Sequence, residues 1–244
     1  MISLKNKKGN DGDFKIALVG DSDIERWEQE SQLSENDSST WNIPIVAIRG
    51  KSGAVLADIV PMAKQIVQQS SASSNLDVRS NLIVIACAGE NDIGEGIYLD
   101  KTIDAMKDFL NAIFFMDSEQ HSASAPSVPA RRHLIFLGPK FEPWLEDNPS
   151  YKKKYAKLSR SLQNVCQEFS KSLTTTHNTT TIHFVDCITM FCDKDTANMP
   201  GAVLGGKAKA DFKYFCADRL HLSPHGYRLW EQEVKKILDR ITNP

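Results

Sequence analysis

The sequence predicts an α/β fold in which a parallel β-sheet is covered by helices on both faces. Three observations predict it. Five short apolar runs recur along the chain with little polar alternation, as strands buried on both faces require. The segments between them carry apolar residues at helical spacing. Strand and helix signals also alternate rather than cluster, which implies parallel strands joined by right-handed crossovers. With 244 residues, 41% hydrophobic and 25% charged, the chain fits one large domain over 14–244, preceded by a flexible N-terminal segment, 1–13.

Residues 14–19 read as the first strand, 43–48 as the second, 82–87 as the third, 133–137 as the fourth and 181–185 as the fifth. Leu56, Ile59, Ala63 and Ile66 make one helical stripe. Leu99, Ile103, Met106, Leu110 and Ile113 make another. A long third runs through Tyr151, Tyr155, Leu158, Leu162, Val165 and Phe169. The last helix starts at Ser223-Pro224, where serine suits the N-cap and proline the first turn, and its stripe is Tyr227, Trp230, Val234, Ile237 and Ile241. Residues 117–130 and 193–217 lack periodicity and read as loops, the first of them mobile.

Composition removes several functions. A net charge of −2 gives no basic excess for nucleic acid. No run reaches the ~20 apolar residues of a membrane helix, and the polar N-terminus lacks a signal-peptide apolar stretch. Five scattered cysteines do not form a disulfide framework and read as free thiols, which places the protein in the cytoplasm or another reducing compartment. Cys187 and Cys192 are too far apart for a CxxC metal pair.

In open α/β sheets, ligands bind beyond the carboxyl ends of the strands. Gly20-Asp21-Ser22 follows the first run, Ser52-Gly53 the second and Gly89-Glu90-Asn91-Asp92 the third, with Asp218-Arg219-Leu220-His221 beyond the fifth. Together they hold the parts for acyl transfer from an oxygen ester. A serine hydroxyl is a weak nucleophile until a base takes its proton, and an imidazole, ordinarily near pKa ~6.5, is that base. A carboxylate on the other ring nitrogen fixes the tautomer and stabilises the imidazolium, and Asp218 can do this from the same turn. The oxyanion needs preformed donors, which the Ser22 and Gly53 N–H groups and the Asn91 side chain can supply.

These blocks, in this order over residues 14–241, resemble the SGNH hydrolase family, the GDSL-type esterases and lipases: Val19-Gly20-Asp21-Ser22, Ser52-Gly53, Gly89-Glu90-Asn91-Asp92 and Asp218-Arg219-Leu220-His221-Leu222-Ser223-Pro224. The resemblance implies a three-layer α/β/α sandwich on a flavodoxin-like five-stranded parallel sheet. It implies Ser22, Asp218 and His221 as catalytic triad, and Ser22, Gly53 and Asn91 as oxyanion hole. No metal and no organic cofactor is implied. The implied partner is a small-molecule ester. Asp23 stands where the family usually has Leu or Ile, a position expected at the site entrance, so Asp23 is a candidate substrate-lining residue. Trp144, which with Phe141 follows the fourth strand, is a second candidate on its position alone, or packs against the rim. The second block departs from the family's usual Gly-Asp, which leaves Gly50 as an alternative donor.

The resulting expectation is a serine esterase acting on a short acyl ester, such as an acetyl ester of a sugar or small alcohol, through an acyl-enzyme. An acyltransferase, lysophospholipase or thioesterase would use the same groups. Asp21 and Asp23 as the paired aspartates of a Mg²⁺-dependent haloacid-dehalogenase-type phosphatase is the rival enzyme reading. It is weakened by Glu25 and by the lack of a later acidic pair. A non-catalytic binding module on the same fold is a third reading, and the complete triad argues against it. Ser22 taken alone could simply cap a helix.

Overall fold

A five-stranded, all-parallel sheet in the order β2-β1-β3-β4-β5 forms the centre of the protein, described by a computed structural model over residues 13–30, 41–72, 81–115, 131–174, 180–199, 201–205 and 207–243. The strands are β1 (Phe14–Gly20), β2 (Ile45–Gly50), β3 (Asn81–Cys87), β4 (Arg132–Leu137) and β5 (Thr181–Val185). This is the flavodoxin-like doubly wound order, with its switch point between β1 and β3. Residues 1–12 of the expected N-terminal segment and the expected loop at 117–130 lie outside the described residues.

Pleating sends alternate side chains to opposite faces. Ile16, Leu18, Ile83, Ile85, Ile135 and Leu137 point into one layer, closed by α1 (Ser22–Glu30) and α8 (Pro224–Thr242). Ala17, Val19, Val84, Ala86, Leu134 and Phe136 point into the other, closed by α2 (Leu56–Ala72), α4 (Leu99–Phe114) and α5 (Pro149–Thr174). In the first layer Trp27 of α1 packs among Trp41, Tyr227 and Trp230, with ring centroids 5.2–6.0 Å apart. Burial of such rings, about 1.5–3 kcal/mol each, fixes α1 and α8 against each other. The stripes expected for the last helix and for residues 56–66 are buried as read.

Two expected boundaries differ. The second strand starts at Ile45 rather than residue 43, because Asn42 turns with φ 57° and Pro44 has no N–H to give the ladder. The Pro44 carbonyl still accepts the Ile16 N–H at 2.9 Å. The strand then runs on to Gly50, paired with Gly20. The expected loop at 193–217 contains α7 (Lys194–Ala197), a 3₁₀ turn at Phe212–Tyr214, and bridges from Cys192 to Ala210 and from Phe215 to Leu222. These pieces are too short to show a periodicity. They are set by local caps: Asp193 accepts from the N–H groups of Asp195 and Thr196, and Asp211 from that of Lys213. Two further short helices, α3 (Glu90–Gly94) and α6 (Cys187–Phe191), carry no sequence stripe either. All five cysteines are free, four of them buried.

Candidate active site

The site lies along the carboxyl edge of the sheet, where four segments meet. The β1–α1 turn is the tightest. A Cβ on Gly20 would stand 2.3 Å from the Cys87 carbonyl oxygen, and one on Gly50 would stand 2.2 Å from the Glu25 nitrogen. Only glycine lets β3 and α1 approach this closely. Asp21 caps α1, its Oδ1 accepting the Asp23 N–H at 3.0 Å. Ser22 is therefore not needed as the cap, and its half-buried side chain sits on the first turn. Its N–H, one of the orphan donors of the helix start, has no partner among the described residues.

The loop after β2 is held from three sides. Lys51 N–H donates to the Gly20 carbonyl at 3.1 Å. Ser52 donates to the Glu25 carboxylate of α1 through both its N–H and its hydroxyl. Asn91 Nδ2 donates to the Ala54 carbonyl at 3.0 Å, and Asp92 Oδ2 accepts the Leu56 N–H at 2.8 Å, capping α2 from outside. Gly53, between these anchors, is exposed at φ 73°, and its N–H has no partner among the described residues. Asn91 Nδ2 has a second hydrogen to give.

The Asp218–His221 segment closes on itself. Asp218 Oδ1 accepts the N–H groups of Leu220 and His221, both at 3.0 Å, and Oδ2 lies 2.8 Å from His221 Nδ1. Burial alone would raise the Asp218 carboxyl, but the imidazole bond and the two N–H groups outweigh it and hold the pKa at about 2. An ionised carboxylate only accepts, so Nδ1 carries a proton, and in the neutral imidazole the lone pair is then on Nε2. The segment is strapped to the 3₁₀ turn Pro143–Asp147. There Arg219, at φ 61°, donates to the Pro143 carbonyl at 2.7 Å and the Asp147 carboxylate at 2.9 Å.

Two links bring this segment beside α1. Tyr227 Oη, in the first turn of α8, donates to the Asp23 carbonyl at 3.2 Å. Arg26 Nη1 lies 4.0 Å from Asp218 Oδ2. Arg26 is four residues after Ser22 and shares its face of α1, one turn along. The exposed Arg26 pair adds little energy, but it reports the proximity.

Asp23 was expected at the entrance. It is instead 2% exposed, with Oδ2 bound at 2.6 Å to Lys140 Nζ, because this position of α1 turns inward toward the β4 edge. Trp144 is half-buried. Its Nε1 donates to Glu142, and its ring packs on Tyr151 at 5.7 Å. Sequence reading missed the cluster below the site: Lys140, Glu90 and Glu142, all buried with Asp21 and Asp23. A lysine three residues past the buried fourth strand, with a glutamate two residues on, was the available signal.

Burial, the Asp23 and Glu90 charges raise the Asp21 carboxyl well above its usual range, and burial with Glu90 does the same to Glu142. Burial alone would lower the Lys140 ammonium, but its three carboxylate neighbours outweigh this and keep it charged. Asp21, Asp23 and Cys87 offer donor atoms within 4.8 Å of one another, the set among the described residues with metal-ligand proximity. A cation there would contend with the Lys140 ammonium for Asp23, and burial pushes the Cys87 thiol up, away from the thiolate a metal needs. Among the described residues no helix is long and apolar enough to cross a membrane.

No known family profile matches the chain, and no curated protein matches it. Solved structures do. A protein from Slackia heliotrinireducens described as an SGNH hydrolase superposes with a TM-score of 0.54 at 11% identity, over 93% of this chain and 99% of that one. The psychrotrophic esterase EstA from Pseudoalteromonas sp., in a form inhibited by monoethylphosphonate, gives 0.53 at 13%, over 94% and 99%. A lipolytic protein of the G-D-S-L family from Desulfitobacterium hafniense gives 0.50 at 14%, over 91% and 98%. The fold is that of the SGNH hydrolases, a five-stranded parallel sheet between two helical layers.

Proposed function

We propose that the protein is a serine esterase that cleaves a carboxylic ester through a Ser22 acyl-enzyme. What carries the reading is the Asp218–His221 pair, 2.8 Å apart, strapped beside the helix turn that bears Ser22. In this scheme His221 Nε2 takes the Ser22 hydroxyl proton as Oγ attacks the ester carbonyl. Asp218, ionised, stabilises the imidazolium. The Ser22 and Gly53 N–H groups and the free Asn91 amide hydrogen receive the oxyanion. The imidazolium returns its proton to the departing alcohol, and a water activated in the same way releases the acid. Gly53 is preferred to Gly50 as a donor because Gly50 lies within β2, paired with Gly20.

A short acyl group, such as the acetyl ester of a sugar or small alcohol, suits the sequence, which has no long apolar lid segment for a fatty chain. Trp144, pinned by Glu142 and Tyr151, is offered as a fixed wall beside the Asp218–His221 loop; its backbone N–H donates to the Arg219 carbonyl at 3.2 Å. Asp23 is not proposed as substrate-lining. The phosphatase reading is disfavoured by the same contacts: Asp21 is engaged as a cap and Asp23 by an ammonium, both buried.

The test is Ser22→Ala assayed on p-nitrophenyl acetate, with a fluorophosphonate probe and peptide mass mapping. Loss of turnover and a wild-type adduct on Ser22 are expected. Turnover that survives the substitution, or an adduct elsewhere, refutes the assignment. Rates across esters of rising acyl length, with water and alcohol acceptors compared, then separate a short-chain esterase from a lysophospholipase, thioesterase or acyltransferase.

A further inference from the structure

One ammonium group touches the backs of two proposed catalytic elements. Lys140 is 1% exposed, and its Nζ lies 2.6 Å from Asp23 Oδ2, 2.7 Å from Glu90 Oε2 and 3.1 Å from Glu142 Oε1. Its backbone N–H donates to Glu90 Oε1 at 2.6 Å, so the Glu90 carboxylate takes both donors of one residue. Asp23 directly follows Ser22, and Glu90 directly precedes Asn91. Glu142 in turn holds the indole of Trp144 and accepts from Tyr155 Oη at 3.4 Å. Three segments that meet only in space are thus fastened at a single buried point.

We propose that Lys140 is the positioning residue of the site, its ammonium setting the Ser22 turn and the Asn91 amide relative to each other and offsetting the carboxylates beneath the oxyanion. The inference rests on the esterase reading. α3, which bears Asn91, has only five residues and cannot hold its own orientation by helical cooperativity. It needs an outside anchor, and the Lys140–Glu90 contact is buried enough to serve. The charge matters as well. Asp23 and Glu90 directly adjoin Ser22 and Asn91 in the chain, and carboxylates there without a counter-cation would oppose the negative charge that develops. Lys140 is the cation in direct contact with both.

Removing the ammonium outright leaves buried charges unpaired and endangers folding, so gentler variants carry the test. Glu90→Gln keeps the shape but turns a donor toward a donor. Lys140→Arg keeps the charge but cannot meet three carboxylates from one point. Both are assayed for kcat, KM and melting temperature, with Ile113→Val in the opposite core layer as a control that lowers stability alone. Glu90→Gln and Lys140→Arg are each expected to lower kcat by about 10–100-fold with KM little changed, the scale of a misplaced catalytic group. In an Asn91→Ala background the Glu90→Gln loss should shrink to about 3-fold or less, since the amide it positions is gone. Ser22-dependent turnover that either variant leaves intact, or losses from Glu90→Gln and Asn91→Ala that simply multiply, overturns this inference alone. Turnover that does not depend on Ser22 overturns it together with the esterase reading.

Discussion

Replacing Asn91 with alanine separates the chemistry of the site from its stability. The Asn91 amide has two hydrogens: one goes to the Ala54 carbonyl at 3.0 Å and the other is available for the oxyanion. Losing the first removes a hydrogen bond worth about 1 kcal/mol, which in a domain of this size lowers the melting temperature by about 2–4 °C. On the proposed mechanism, losing the second removes an oxyanion donor, a loss of about 10²–10³ in turnover, or about 2.7–4 kcal/mol of transition-state stabilisation. The Asn91→Ala protein should therefore be folded, slightly less stable and slow. Steady-state kinetics on p-nitrophenyl acetate, with thermal unfolding on the same samples, reads both quantities. The loss should fall on kcat with KM nearly constant, because the oxyanion exists only in the transition state. Asn91→Asp should be slower still, since it places negative charge where negative charge develops. A raised KM with kcat preserved would remove Asn91 from the oxyanion hole and leave it as a strut for the Ala54 loop.

Two predictions concern protons. The Asp218 pKa of about 2 keeps it ionised through weak acid, so the acid limb of log kcat/KM should fall with the slope of one proton; a slope of two would mean that the carboxylate titrates with its partner. Asp21 has a folded-state pKa raised above its unfolded value of 3.8, so the folded protein holds that proton longer. The stability it contributes is complete below about pH 4 and is lost as pH rises toward the folded value. Asp21→Asn keeps the capping oxygen and cannot ionise, so its melting temperature relative to wild type should rise as pH increases from about 4 through neutrality. A difference that stays constant over that range would refute the burial argument.

What could be read in the sequence follows from how local each feature is. The strands were legible because their buried stretches are largely apolar on both faces. The strand start that slipped furthest, at Pro44, did so because an apolar neighbour on each side hides a missing donor. The pairing of Asp218 with His221 was legible because three residues separate them and the turn between them is closed by the aspartate itself. The Lys140 contacts were not. They join residues 117, 50 and 2 positions away, and only the packing of α1 and α3 brings them together. Asp23 was misread for the same reason: a carboxylate next to a serine looks like rim, and only the packing of α1 turns it inward.

The self-closed turn at Asp218 has a consequence for how such a protein can diversify. Asp218 and His221 are aligned within a four-residue stretch, chiefly by that stretch's own bonds. On the proposed mechanism, changes to the surrounding loops can alter which molecule is admitted without retuning the hydrogen bond between carboxylate and base. Variation in substrate choice would then fall to neighbouring surface segments, with the Asp218–His221 unit left intact.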